Sequence, residues 1–422
     1  MRLWLTSAFR SLRIYNYRLW AAGALVSNVG TWIQTIAQDW LILTELTDNK
    51  ASAVGIAMGL QFAPQLLLLP WTGSAADRFD QRKLMIMTQL VMGTLAISLG
   101  LLTVTGLVKL WHVYVFAFLF GSAAAFDAPS RQTFVADLVG EKDLANAVAL
   151  NSLTFNSARM IGPAIAGLVI ASVGTGWAFL MNGASFGAVL ISLLFLRRHE
   201  LTSSPRAQRS KNGFREGLAY VWARPDLRAL MIMLFVMGTF GMNFAIFIST
   251  MAVRVFQTGA HGFGILSSMM AIGTITGGLL AAGRDRPYFS HLLMGTAIFG
   301  LGCTLAAFAP TFWLFGAALA LIGVASLTFL QGSSALMQLS SDPVMRGRVM
   351  ALRMAIAMGG TPIGAPIVGW IADHFGPRWA VGVGAAAGVT ATLIGLRYVL
   401  RRGEPAKPSS AVPALEADEE LT

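Results

Sequence analysis

ALNSLTFNSARMIGPAIAGLVIASVGTGWA, residues 149–178, recurs without a gap as ALRMAIAMGGTPIGAPIVGWIADHFGPRWA, residues 351–380. Ile161, Gly162, Ile165, Gly167, Gly174 and Trp177 of the first copy match Ile363, Gly364, Ile367, Gly369, Gly376 and Trp379 of the second. Gly121 matches Gly323 in the same register. Each copy is an apolar run long enough to cross a hydrocarbon core about 30 Å thick. A repeat of this kind predicts two halves of like topology, related as the halves of alternating-access proteins are, with a site near the midplane between them.

Working outward, the chain of 422 residues is 55% hydrophobic and only 12% charged, with 44 glycines. A soluble surface on a chain this long needs a larger polar fraction. Apolar runs predict twelve membrane spans, at roughly 18–44, 53–76, 83–106, 111–134, 144–171, 177–197, 228–252, 263–283, 289–309, 312–338, 347–372 and 378–400. The expected fold class is an all-α membrane protein, with six-helix bundles over 18–197 and 228–400. Residues 1–17 read as a basic amphipathic segment on the cytoplasmic face and not as a signal peptide. The linker 198–227 holds Phe214, Leu218, Val221 and Trp222 at helical spacing, which predicts an amphipathic helix on the inner leaflet. Residues 401–422 are rich in Pro, Ser and acids and read as a disordered cytoplasmic tail.

The net charge is +11. Of the 31 Lys and Arg, Lys50, Lys109, Arg254 and Arg378 fall outside, and Arg159 and Arg353 fall within spans. The rest lie at the cytoplasmic side when both termini are inside, which obeys the positive-inside rule. The basic excess therefore reads as topology and contact with anionic lipid, and not as nucleic-acid binding. Cys303 is the lone cysteine, so neither an internal disulfide nor a cysteine metal site is expected.

Most of the scarce charge gathers in one turn. GSAADRFDQRK (73–83) carries Asp77, Arg78, Asp80, Arg82 and Lys83 between the second and third spans. This stretch resembles the cytoplasmic signature GxLaDrxGrk of the major facilitator superfamily, matching at Gly73 and Asp77 and in its basic end. Asp80 and Gln81 depart from the pattern as a DRFDRR-type variant does, in the branch that includes the enterobactin exporter and macrolide efflux proteins. SNVGTWIQTIAQDWLILTELT (27–47), FDAPSRQTFVADLV (126–139) and RGRVMAL (346–352) resemble the same branch. The resemblance spans nearly the whole chain up to about Arg402. It implies a charge relay of Gly73, Asp77, Arg78, Arg82, Asp127 and Arg131 that latches the cytoplasmic side. The plainer alternative is an exposed pair of Asp127 with Arg131. ARMIGPAIAG (158–167) is similar to the antiporter motif, matching at Gly162, Pro163 and Gly167, with Ala158 and Ala166 in place of glycines. Pro163 kinks the helix and the small residues admit a close neighbour. Simple helix packing is the alternative.

Ionisable groups inside spans are expensive and need a reason. Arg159 lies near the middle of the fifth span, on one helical face with Phe155, Gly162 and Ala166. It borders a cavity and meets an anionic group, or it makes a structural ion pair. Asp39 lies in the first span near Trp32, Gln34 and Gln38. It is a protonatable coupling residue, or an interfacial acid paired with Arg254 or Lys50; with Trp20 and Trp40 taken as interface markers, it sits near the outer surface. Asn156 is a further candidate for the substrate and proton pathway. Arg353 is expected to snorkel to the inner surface.

With these ionisable groups, the antiporter-like motif and the branch resemblance imply a secondary transporter that exports a small amphipathic, drug-like or siderophore-like compound. It would work as a monomer in the cytoplasmic membrane, with the proton gradient as energy source and no cofactor. Uptake of a small polar solute, and a membrane sensor that does not transport, are the alternatives. No Gly-Lys dipeptide occurs, which excludes the phosphate loop of an ATP-driven pump. No H-E-x-x-H occurs and the five His are scattered, so no enzyme is expected.

Overall fold

The computed structural model describes residues 9–68, 71–72, 79–201, 213–282 and 288–402. Gly73, Asp77 and Arg78 of the charged turn lie outside the described residues. So do the first eight residues, the linker stretch 202–212 and the tail from 403.

The described chain is almost wholly helical. Ten of its helices are long and apolar enough to cross a membrane. They are α3 (Gln81–Val104), α4 (Leu110–Gly140), α5 (Lys142–Val173), α6 (Thr175–Leu194), α7 (Pro225–Val255), α8 (Ala260–Ala282), α9 (Phe289–Phe308), α10 (Phe312–Ser340), α11 (Val344–His374) and α12 (Pro377–Arg402). Two more helices precede them. Helix α1 (Tyr15–Trp40) continues through a wider turn at Leu41–Leu46, and its mean hydropathy is lowered by Asn16, Gln34, Gln38 and Asp39, all buried. Helix α2 (Ala51–Leu67) is apolar but shorter.

Local chemistry sets the boundaries. Asp80 caps α3 by accepting from the Lys83 backbone N–H at 3.0 Å. Thr311 caps α10 in the same way. The fourth and fifth spans run longer than expected, because the stretch 135–143, read as a loop, is helical on both sides of one break. That break is Gly140, whose φ of 69° is open to glycine at little cost. Val135 and Leu138 there are buried with Tyr17 and Trp20.

The matched glycines of the repeat do the same work in both copies. Gly121 of α4 lies against the Gln61 carbonyl of α2, and Gly323 of α10 lies against the Met270 carbonyl of α8. Gly162 of α5 faces Trp32 of α1, and Gly364 of α11 faces Thr239 of α7. Gly167 meets Gly264 of α8, across the halves of the chain, and Gly369 meets Ala51 and Ser52 of α2 in the opposite sense. A Cβ at these crossings would strike neighbouring backbone or a fixed ring, so the spacing of small residues dictates which helices touch. Gly174 (φ 87°) and Gly376 (φ 99°) end α5 and α11 in left-handed turns. Trp177 and Trp379 follow them and are exposed, as interfacial tryptophans are.

Trp20 and Trp40 do not mark membrane surfaces. Both are buried, Trp20 against Tyr17 and Trp40 against Phe263 of α8. Ahead of α1, residues 9–14 are described. Their short turn Arg10–Arg13 docks on the start of α5, where Arg10 pairs with Asp143 and Ser11 donates to Asn146 Oδ1 at 2.8 Å.

Candidate functional site

Helix α1 carries a polar seam into the bundle. Gln34 Oε1 accepts from Asn182 Nδ2 of α6 at 2.7 Å. Gln38 Nε2 donates to Gln61 Oε1 of α2 at 3.1 Å. These bonds satisfy amides that would be costly to leave unpaired in an apolar interior.

Asp39 breaks that pattern. It is 2% exposed, and neither carboxylate oxygen has a hydrogen-bond partner. Its expected cation is engaged elsewhere, because Arg254 pairs with Asp373 at 3.2 Å. Among the described residues Asp39 makes no ion pair, with Lys50 or any other cation. Trp32 lies seven residues earlier, about 10 Å along the axis and on nearly the same face.

Across from Trp32, α5 presents Arg159. The guanidinium carbon is 5.8 Å from the Trp32 ring centroid. Phe155, one turn earlier, meets the same ring edge-on with centroids 6.2 Å apart. Gly162, one turn later, leaves room for the Trp32 side chain at its Cβ. Arg159 packs over Trp32 and yet keeps exposed surface, as a group bordering a cavity between helices does. No ion pair to Arg159 exists among the described residues. The side chain of Asn156 lies outside what the structure describes. Pro163 is inside α5, Ala166 is fully buried, and Gly167 forms the crossing with α8.

The expected charge relay divides. Asp127 Oδ1 accepts from Thr88 Oγ1 at 2.8 Å and Gln89 Nε2 at 2.9 Å, and its Oδ2 accepts from Arg131 Nε at 3.1 Å. The Asp127–Arg131 pair is thus buried and not exposed, and it ties α4 to α3. Arg82 does not join it. Its Nε donates to the Leu193 carbonyl at the end of α6, at 2.8 Å. Arg353 does not snorkel either, since one terminal nitrogen donates to the Leu330 carbonyl of α10 at 2.9 Å.

A second polar junction was not anticipated. Asp373, near the end of α11, accepts from the backbone N–H groups of Ala51 and Ser52, each at 2.8 Å, with one oxygen for each. These are the free donors at the start of α2. Arg254 at the end of α7 closes the cluster. One carboxylate therefore joins three helices from both halves of the chain. An acid one residue from the end of a span is the only trace of this in the sequence, and its partners are too distant along the chain to suggest themselves.

The linker helix Gly213–Ala223 packs on the start of α11, through an ion pair of Glu216 with Arg348 at 2.6 Å and a Tyr220–Asp342 hydrogen bond at 3.0 Å. Val221 turns into the protein, while Leu218 and Trp222 stay exposed. The side chain of Phe214 lies outside the described residues. Arg224 beside it bonds Asp226, which raises the guanidinium pKa. The pattern GASFG (183–187) has the spacing of a nucleophile elbow. It lies mid-helix in α6, where Ser185 Oγ is bonded to the Asn182 carbonyl at 2.7 Å, so no exposed nucleophile results. Among the described residues, no group of three His, Cys, Asp or Glu is placed to hold a metal ion.

This architecture is that of a multi-pass membrane transporter. Over 92% of the chain it superposes on a bacterial homologue of the human lysosomal transporter Spinster in an inward-facing and occupied conformation, covering 97% of that protein with a TM-score of 0.73 at 15% identity. The chain belongs to the major facilitator family of transmembrane secretion effectors, whose family model matches residues 6–422. It is 27% identical to the staphyloferrin A transporter of Staphylococcus aureus, over 82% of this chain and 87% of that one. It is 26% identical to the multidrug efflux pump Tap of Mycolicibacterium fortuitum, over 84% and 88%. It is 27% identical to the enterobactin exporter EntS of Salmonella typhimurium, over 88% and 89%. The family and these relatives are transporters and not enzymes.

Proposed function

We propose that the chain is a proton-coupled antiporter that exports a small amphipathic compound by alternating access. In this reading α1 and α2 also cross the bilayer. The protein then has twelve spans in two six-helix bundles, with both termini cytoplasmic, and works as a monomer in the cytoplasmic membrane. The drug-exporting and siderophore-exporting relatives support export. The observation that carries coupling is Asp39. Its carboxyl group has no donor and no counter-charge, so its proton occupancy would follow its access to water as the halves rock. Helix α6 carries no titratable side chain, and the nearest one to this level on α5 is Arg159, about 10 Å away along the axis, so neither helix offers a competing acid there.

The test is flux in proteoliposomes with an imposed pH gradient and a panel of drugs and siderophores. Substrate movement should follow the gradient and acidify the lumen it leaves. Asp39→Asn should reduce gradient-driven flux by at least about tenfold, while downhill exchange persists. Flux that ignores the gradient in the wild type would refute coupling.

A further inference from the structure

We propose that Arg159, Trp32 and Phe155 form a subsite for the anionic group of a substrate with a flat, apolar body. This deepens the reading above, since it assumes that the cavity takes up a small amphipathic compound.

Three observations carry it. First, the other in-span charges singled out in the sequence have been placed. Asp127 is held by Arg131, Thr88 and Gln89, and Arg353 is tied to Leu330. Asp39 is closed off from water. Among the described residues, Arg159 is left as a guanidinium with exposed surface and no carboxylate partner. Such a cation near the middle of a span demands a counter-charge, and what enters the cavity can supply one. Second, Arg159 turns toward a neighbouring helix. It lies over Trp32, whose helix packs against α5 and α6, and Gly162 on the same face is in contact with Trp32. Third, the guanidinium is flanked by rings. Trp32 and Phe155 meet edge-on, and Phe155 is 47% exposed. An apolar ring offers a flat surface beside the five fixed donors of the arginine. A cationic compound would instead meet like charge at Arg159, while the Asp39 carboxylate is buried.

A matched set of probes tests this on the purified, full-length protein in lipid nanodiscs, with no gradient present. The probes are 2-naphthoate, the uncharged 2-naphthamide and the cationic 2-naphthylmethyl-trimethylammonium, with binding read by calorimetry. The carboxylate should bind at least about tenfold more tightly than the amide, as a charge-assisted pair does, and the cation most weakly. Arg159→Gln should bring carboxylate and amide within about threefold, and Arg159→Lys should keep part of the difference. A cation that binds as well as the carboxylate, a preference that survives Arg159→Gln, or no measurable binding of any of the three would overturn the proposal. The wild-type order alone decides even if a variant fails to fold. Because the readout needs no proton gradient, loss of coupling would leave this order unchanged.

Discussion

Asp127 and Asp39 are both acids buried within helices, and they differ by their donors. Asp127 accepts three hydrogen bonds and sits beside a cation, so it is a structural anchor between α3 and α4. Asp39 has none. Asp127→Asn keeps an acceptor for Thr88 and Gln89 but strips Arg131 of its counter-charge. The expected result is a stability loss of about 2–4 kcal/mol, seen as a lower midpoint of thermal unfolding in detergent. An unchanged midpoint would mean the pair contributes nothing net. The sequence flagged both acids and gave them different expected roles, but did not show which one has partners. Thr88 and Gln89 lie in a different span from Asp127, so only the approach of α3 to α4 reveals which carboxylate is satisfied.

At the scale of elements, the junction of α2, α7 and α11 stands out. A carboxylate at a helix N-terminus is favoured by the helix dipole as well as by its two hydrogen bonds. Because α2 and α11 come from opposite halves, the bonds to Ala51 and Ser52 must break if these ends part. Asp373→Asn leaves one acceptor and removes the pairing with Arg254. The equilibrium between closed and open forms at this end should move toward the open form by about 5–30-fold, the equivalent of about 1–2 kcal/mol. Spin labels at Asp48 and Gly259, read by pulsed electron resonance, would show the longer distance gaining population. A distribution identical to wild type would show that the clamp does not set this balance. The glycine crossings repeat the lesson at this scale. Their register was legible because a duplicated pattern needs no partner to be seen, but which helices they join was not.

For the whole molecule, the close contact of Gly167 with Gly264 and the Asp373 clamp both lie at the end expected to face outward. The subsite of Trp32, Phe155 and Arg159 lies deeper, so its opening should be toward the cytoplasm. Cys303 is fully buried, which leaves the wild type without a reactive thiol. Phe155→Cys should therefore be labelled by a membrane-impermeant maleimide at least about fivefold faster in inverted vesicles than in intact cells, by analogy with other groups whose reactivity follows exposure. Equal or reversed labelling would refute the orientation or the open side.

The sequence by itself determined the class of fold, the placement of nearly every membrane helix and the internal duplication. These rest on hydrophobic length and on glycine spacing, both local properties that any bilayer imposes on a chain. It also pointed to Asp39, Arg159 and Asp127, since a charge within an apolar run is conspicuous in one dimension. Only the tertiary structure decided what each charge touches. Arg82 turns to Leu193, Arg254 to Asp373 and Trp40 to Phe263, each toward a partner on a remote helix, while Trp20 turns inward against Tyr17 of its own helix. Pairing between helices depends on which faces meet, and a linear pattern carries the faces but not their meeting.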